Sequence, residues 1–342
     1  MKSRKVNCDG WAAVNCDGWA AGWQNSERKE RAMKYPGFPE LWFPPLTFYR
    51  EGGEIDYERI AAQMRKIRPF CRGVLVPGST GDGWVLGSGK LEELVRFFLR
   101  SDGFDRFDIM IGALMPTAEE TLASIEKWCG ILRNVSGKTD DKEAMDALGV
   151  KAFVFCVPAG MQDPSEQKKE MGRILSLGLP MAFYQLPLVT GVTVAPEVIA
   201  ELAGAYSNLI AAKDSGGKDE MARSGLLKDR LMLLRGAEGD PTEMVLGKNT
   251  IYDGLLLSTV NCFAEEYCRM MDGKCGYQDF GRVIGEVFAS VEKPVSNAFS
   301  DAVRAICHVQ EYGGAAPGVP CYCYNGETLP VELVEKVCDL CL

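Results

Sequence analysis

Eight times between Leu41 and Cys262 a short apolar run gives way to an amphipathic stretch, and this repetition restricts the fold more than any other feature of the chain. Short apolar runs bounded by turn formers read as strands buried on both faces, and strands joined by helices build a parallel sheet. The first units are Leu41 to Leu46 with a helix from Asp56, Gly73 to Pro77 with a helix from Lys90, and Asp108 to Gly112 with a helix from Thr117. Lys151 to Cys156 precedes a helix from Pro164, and Pro180 to Tyr184 one from Pro196. Leu209 to Lys213 leads to a helix near Lys218, Leu231 to Arg235 to one near Pro241, and Gly254 to Leu257 to one near Cys262. A doubly wound sheet alternates in the same way; eight repeats favour the closed (β/α)8 TIM barrel, an α/β fold of about 250 residues.

With 342 residues the chain has room for one barrel and extensions. Residues 1–34 are expected to be a disordered tail: Gly, Asn, Asp and charge dominate, and no structural period appears. Within it Val6 to Ala13 reads VNCDGWAA and Val14 to Ala21 repeats it letter for letter, too short a period for a solenoid. Met33 is a candidate natural start. Residues 35–275 would form the barrel, with polar Val135 to Glu143 as an insertion after the third helix. Residues 276–342 would add three packed helices, Tyr277 to Val291, Pro294 to Tyr312 and Pro330 to Cys341.

The 38 basic residues are outnumbered by 47 acidic ones, a net charge of −9 that gives no basis for gripping a phosphate backbone. No apolar run is long enough to span a bilayer, and the N-terminus lacks an apolar signal core. A cytoplasmic protein without nucleic-acid or membrane partners is expected. Thirteen cysteines, spread through apparent core segments, fit free thiols in a reducing compartment. Cys321, Cys323, Cys338 and Cys341 read either as small apolar residues and thiols or as zinc ligands, and their spacing matches no standard zinc module. No metal and no cofactor are expected. Gly78 to Gly83 lacks the Lys of a phosphate-binding loop, which disfavours nucleotides.

In a (β/α)8 barrel the chemistry sits at the C-terminal ends of the strands. Lys213 directly follows the apolar run of strand six and precedes Asp214-Ser215-Gly216-Gly217. Burial disfavours the charged form of an amine, and the neutral amine is the nucleophile that imine formation requires. The plainer reading of Lys213 is a surface lysine at a strand end. Tyr184 ends strand five before Gln185-Leu186-Pro187; its phenol suits proton transfer, or it is a core aromatic with its hydroxyl at the water boundary. The small-residue turn Gly78-Ser79-Thr80-Gly81-Asp82 after strand two aims amides and two hydroxyls at one point, a nest for a carboxylate or a plain turn.

Together these three stretches resemble the family of dihydrodipicolinate synthase and N-acetylneuraminate lyase, from about Phe43 to the C-terminal helices. There a Gly-Ser/Thr-Thr-Gly-Glu turn holds the carboxylate of pyruvate, a Tyr-Asn-hydrophobic-Pro ends strand five, and a Gly-hydrophobic-Lys ends strand six. The resemblance implies a class I aldolase-type carbon–carbon lyase in which Lys213 is the Schiff-base lysine and Tyr184 the proton carrier. It further implies that Gly78, Ser79 and Thr80 bind a 2-oxo acid, that an aldehyde is the second substrate, and that the chain is a homo-oligomer, dimer or tetramer. Leu257-Ser258-Thr259-Val260-Asn261 is similar to the Gly-Ser-Thr-Tyr-Asn of the sialic-acid lyase branch, and Gly236-Ala237-Glu238-Gly239 takes the place of its sugar-contacting Gly-Tyr-Asp-Glu. Gly236, Glu238 and Ser258 are thereby implied as substrate-binding.

Two departures stand out. Val189 replaces the Arg with which the synthase grips a second carboxylate, and Pro158-Ala159-Gly160 lacks the family's strand-four aromatic hydroxyl. The alternatives kept open are a dehydratase or decarboxylase acting on a sugar-derived 2-oxo acid, and a catalytically degenerate barrel that only binds a 2-oxo acid. The single histidine, His308, lies in a C-terminal helix and reads as packed or on the surface rather than as a base.

Overall fold

Eight parallel strands close in chain order: β1 (Leu41–Phe43), β2 (Gly73–Val76), β3 (Asp108–Gly112), β4 (Val150–Phe155), β5 (Met181–Gln185), β6 (Leu209–Asp214), β7 (Met232–Arg235) and β8 (Gly254–Leu256), which pairs back onto β1. This is the (β/α)8 barrel read from the sequence. The computed structural model describes residues 37–247 and 250–341. The 1–34 tail, with its repeated octapeptide and Met33, lies outside the described residues.

Side chains alternate across each strand, and here the alternation sorts residues between two cores. On β5, Met181 and Phe183 face the helix layer, whereas Ala182 and Tyr184 enter the barrel. On β7, Leu233 faces out and Met232 and Leu234 face in. The lumen holds Trp42, Leu75, Met110, Ala152, Val154, Ala182, Ala211 and Leu256, so it is a packed interior, not a pore. Trp42 fills one end so closely that a Cβ on Gly73 would fall within its indole.

The helices start where side-chain caps permit. Asp56 accepts from Arg59 N ahead of α1 (Tyr57–Ile67), Thr117 from Glu120 N ahead of α3 (Ala118–Ser136), and Asp163 from Ser165 N and Glu166 N ahead of α5 (Pro164–Leu175). Between α1 and α3 lies α2 (Ser88–Arg100).

Val135 to Glu143 departs from the insertion the sequence suggests. Val135 and Ser136 close α3, Gly137 terminates it in a left-handed conformation, and Asp140 caps a new helix, α4 (Asp141–Leu148). Ala144, Met145 and Leu148 give α4 one buried side, which a polar composition conceals. After β5 come the single turn α6 (Pro187–Thr190) and α7 (Pro196–Ala205). The helices expected near Lys218 and Pro241 are also single turns, α8 (Glu220–Arg223) and α9 (Thr242–Val245).

Beyond α10 (Val260–Met271), which follows β8, lie α11 (Gln278–Ser290), α12 (Ala298–Tyr312) and α13 (Val331–Cys341). His308 is buried in α12: Arg59 Nη2 lies 3.2 Å from its Nδ1, and the carbonyls of Ala316 and Val319 lie 3.2 and 3.0 Å from its Nε2. Cys321, Cys323 and Cys341 are core thiols, and no group of three or more metal-ligating side chains gathers among the described residues. No helix there is long and apolar enough to cross a membrane.

Candidate active site

The alternation that fills the lumen also selects what faces its mouth. Ala211 points inward on β6, so Lys213, two residues on, points inward as well. The same count on β5 takes Ala182 to Tyr184, and parallel pairing sets Tyr184 beside Lys213 in register. Lys213 is 7% exposed, and its Nζ donates to Tyr184 Oη at 3.0 Å while lying 4.1 Å from the centre of the phenol ring.

The wall opposite Tyr184 is β7, where Lys213 pairs with Leu234 and the next inward position is Gly236. A Cβ there would lie 2.6 Å from Lys213 Cε and would collide with Ser215 Oγ. The Lys213 stem therefore runs directly against backbone.

The turn after Lys213 is fixed by a buried cluster. Asp214 Oδ1 accepts from Gly216 N at 2.9 Å, and Tyr252 Oη lies 2.9 Å from both Asp214 Oδ2 and Asp219 Oδ1. Arg235 Nε donates to Asp219 Oδ1 at 3.1 Å. Burial raises the Asp214 carboxyl above its usual range, opposed chiefly by the Gly216 amide and the Tyr252 hydroxyl. The Cys156 thiol, in the lumen, is pushed up to about 12 by burial and stays protonated.

The turn after β2 completes the rim. Gly81 N and Gly83 N both donate to Gly78 O, at 3.1 and 3.0 Å, and Asp82 adopts φ 62°. Thr80 Oγ1 and Ser258 Oγ share a hydrogen bond of 2.7 Å across the barrel mouth, and Trp84 Nε1 donates to Ser79 Oγ at 2.9 Å. Asp82 itself is buried behind the turn, accepting from Tyr49 Oη at 2.8 Å, from Arg304 Nη2 at 2.7 Å and from the Ser296 hydroxyl. From α12, Ser300 Oγ donates to Thr80 O at 3.0 Å. The C-terminal helices thus hold the turn from below.

Glu238 bends back into the protein. It accepts from Ser258 N at 2.7 Å and Thr259 Oγ1 at 2.7 Å, fastening the loop after β7 to the start of α10. Burial raises its carboxyl, opposed by the Thr259 hydroxyl, the Ser258 and Thr259 amides and the Lys213 charge. Lys213 touches Tyr184 on one side and Gly236 on the other, Ser215 Oγ also lies against Gly236, Thr80 and Ser258 form a second group at the rim, and Ser79 is paired with Trp84.

Sequence reasoning misses Trp84, Thr47, Asn261 and Arg304. Thr47 Oγ1 holds Gly81 O at 2.8 Å, and Asn261 clamps Leu46 N at 3.0 Å and Pro44 O at 2.9 Å. For Arg304 the available signal is Asp301 with Arg304, an i,i+3 charge pair within a stretch of helix where core is expected.

Residues 141–293 match the model of the dihydrodipicolinate synthetase family. The matched segment is less than half of the chain, and it marks a similarity to this family. Among curated relatives, the 4-hydroxy-tetrahydrodipicolinate synthase of Xanthomonas campestris pv. campestris is 24% identical over 204 residues, 59% of this chain and 61% of that protein. The enzyme of the same name from Chlorobaculum parvum is 23% identical over 199 residues, 57% of this chain and 61% of its own length. The chain thus spans less than two thirds of the length of the curated relatives it matches. Its barrel superposes on dihydrodipicolinate synthase from Agrobacterium tumefaciens with a TM-score of 0.66 at 19% identity, covering 87% of this chain and 96% of that one. CdNal from Clostridium difficile, solved with mannosamine, gives 0.65 at 15% identity over 88% and 97%. A prophage protein of the dihydrodipicolinic acid synthase family from E. coli K12, solved with pyruvate, gives 0.60 at 19% identity over 79% and 88%. At these identities the superpositions establish shared fold.

Proposed function

We propose that this protein is a Schiff-base lyase or aldolase that breaks or makes a carbon–carbon bond next to the carbonyl of a pyruvate-type 2-oxo acid. The observation that carries the reading is the amine of Lys213, held at the inner end of β6 against backbone on one side and 3.0 Å from the Tyr184 hydroxyl on the other. Nζ adds to the C2 ketone to give a carbinolamine, which loses water to leave a protonated imine. In cleavage, the C4 hydroxyl loses its proton, the C3–C4 bond breaks, an aldehyde departs, and the electron pair moves into the imine to give an enamine. Protonation at C3 and hydrolysis then return the lysine and the 2-oxo acid; condensation runs the same steps backward. Tyr184 Oη lies within reach to carry protons between Nζ and the substrate oxygens. The carboxylate would sit at the turn of Gly78, Ser79 and Thr80, whose hydroxyls face the rim.

The aldehyde partner is expected to lack a second carboxylate, since Val189 supplies no guanidinium for one. Gly236, Glu238 and Ser258 belong to the same rim and are proposed to shape the aldehyde side, Gly236 and Glu238 through the groups they hold in place. Loss of water or of carbon dioxide can proceed through the same imine, and product analysis with sugar-derived 2-oxo acids separates these reactions from cleavage. A barrel that only binds its 2-oxo acid is favoured by Ala159 and Gly160 where the family carries an aromatic. Borohydride reduction in the presence of pyruvate distinguishes the readings. A reduced adduct on Lys213, lost in Lys213→Ala and Lys213→Arg, supports imine chemistry, whereas binding without an adduct refutes it. We further propose a cytoplasmic homo-oligomer, dimer or tetramer, checked by sedimentation and cell fractionation.

A further inference from the structure

The two hydroxyls of the turn after β2 are treated differently by the protein. Thr80 Oγ1 shares a 2.7 Å hydrogen bond with Ser258 Oγ in which either oxygen can donate, so nothing fixes the direction of its hydrogen. Ser79 Oγ instead receives the indole N–H of Trp84 at 2.9 Å, and no acceptor among the described residues takes the Ser79 hydroxyl hydrogen. A serine hydroxyl has one hydrogen and two lone pairs, while an indole N–H can only donate. The N–H on one lone pair therefore turns the Ser79 hydrogen away from the ring. This matters because an unconstrained serine in a turn readily donates to a nearby backbone carbonyl, and would then present lone pairs to an incoming anion.

The indole is itself fixed. Asp82, locked by Tyr49, Arg304 and Ser296 and left-handed at φ 62°, sends the chain back so that Trp84 follows two residues later. The half-buried ring packs against the lumen cluster that contains Tyr184, Leu114 and Leu186. Its N–H is thus aimed from a rigid support.

We propose that Trp84 is a positioning residue for substrate capture: its N–H holds the Ser79 hydroxyl as a donor to the carboxylate of the 2-oxo acid. The inference rests on the reading of the turn as the carboxylate seat. Trp84 touches Ser79, not the reacting carbons, so it governs affinity for the acid and leaves the chemical step on Lys213 untouched.

The test uses the full chain and pyruvate as probe, with Trp84→Phe, Ser79→Ala and the double variant. Two quantities are read: pyruvate affinity by calorimetry, which needs no imine, and the limiting rate of borohydride trapping at saturating pyruvate. Loss of one orienting hydrogen bond predicts that Trp84→Phe weakens pyruvate binding roughly five- to tenfold, with the limiting trapping rate within about twofold of wild type. In the Ser79→Ala background the same substitution should change the affinity by less than about twofold, since the group it orients is gone. Equal affinity of Trp84→Phe and wild type overturns the proposal, as does an equal loss in both backgrounds, which would make the ring a packing element only. If the wild type binds pyruvate without forming an adduct, the imine reading fails while the affinity comparison still decides the role of Trp84. If it binds no 2-oxo acid at all, both fall.

Discussion

Replacing Gly236 by alanine tests whether the position of Lys213 is imposed by the wall behind it. A methyl there would stand 2.6 Å from Lys213 Cε and 3.0 Å from Cγ, against about 3.5–4.0 Å for a comfortable carbon contact. The lysine stem must therefore move by about 1 Å. The backbone cannot easily yield, since Gly236 N donates to Asp214 O at 2.7 Å and ties β7 to β6 just beyond the lysine. Ser215 Oγ can rotate away, but Lys213 can move only towards Tyr184 or out of the mouth. A 1 Å misplacement of a reacting group costs about 100-fold in rate, or about 2.7 kcal/mol in the barrier. Overpacking adds about 1–3 kcal/mol to the folded state, a fall of several degrees in Tm. The assay is the rate of borohydride-trapped pyruvate adduct on the peptide bearing Lys213, read by mass, with Tm as the control. Trapping at the wild-type rate in a folded Gly236→Ala protein would refute the idea that this wall sets the amine.

Three further outcomes are expected. Asp82→Ala leaves Arg304 buried without its closest carboxylate partner and should cost about 3–5 kcal/mol in urea unfolding; a loss below about 1 kcal/mol would show that the turn is anchored elsewhere. His308 resists protonation in the folded protein, chiefly through burial and then through the neighbouring Arg59 charge, while the unfolded chain takes the proton near pH 6.5. Falling pH therefore favours the unfolded state below about pH 6.5, and His308→Gln should remove that part of the acid destabilisation. The raised carboxyls of Asp214, Glu238 and Asp301 act in the opposite sense, so the comparison is of the two stability-against-pH curves; parallel curves would refute it. Glu238→Gln keeps the size of the side chain but weakens its hold on Ser258 N and Thr259, and should lower activity several-fold with little change in Tm; unchanged activity would remove this loop from the site.

The strands were legible because parallel strands are apolar on both faces, and apolar runs survive in a sequence without knowledge of their neighbours. Their ends shift by one to a few residues, as at Leu41–Phe43, where two prolines end a run that looks longer. The helix at Asp141–Leu148 was hidden because its only buried residues are three of eight, and α8 and α9 are too short for a helical period to measure. At the mouth, Lys213 beside Tyr184 follows from period-two alternation and in-register pairing, both readable in one dimension. Trp84 on Ser79 and Arg304 on Asp82 are not: the first depends on a left-handed residue, the second joins positions 222 apart. No local spacing encodes either contact.

The helices after residue 276 resemble a late attachment, yet Ser296, Ser300 and Arg304 reach back under Thr80 and Asp82. A shortened protein ending after α10 would retain every strand and its amine while losing the footing of the loop meant to greet the acid. Dividing this polypeptide between scaffold and appendage would misjudge it, because the turn proposed to seat the acid is propped by residues from beyond the barrel.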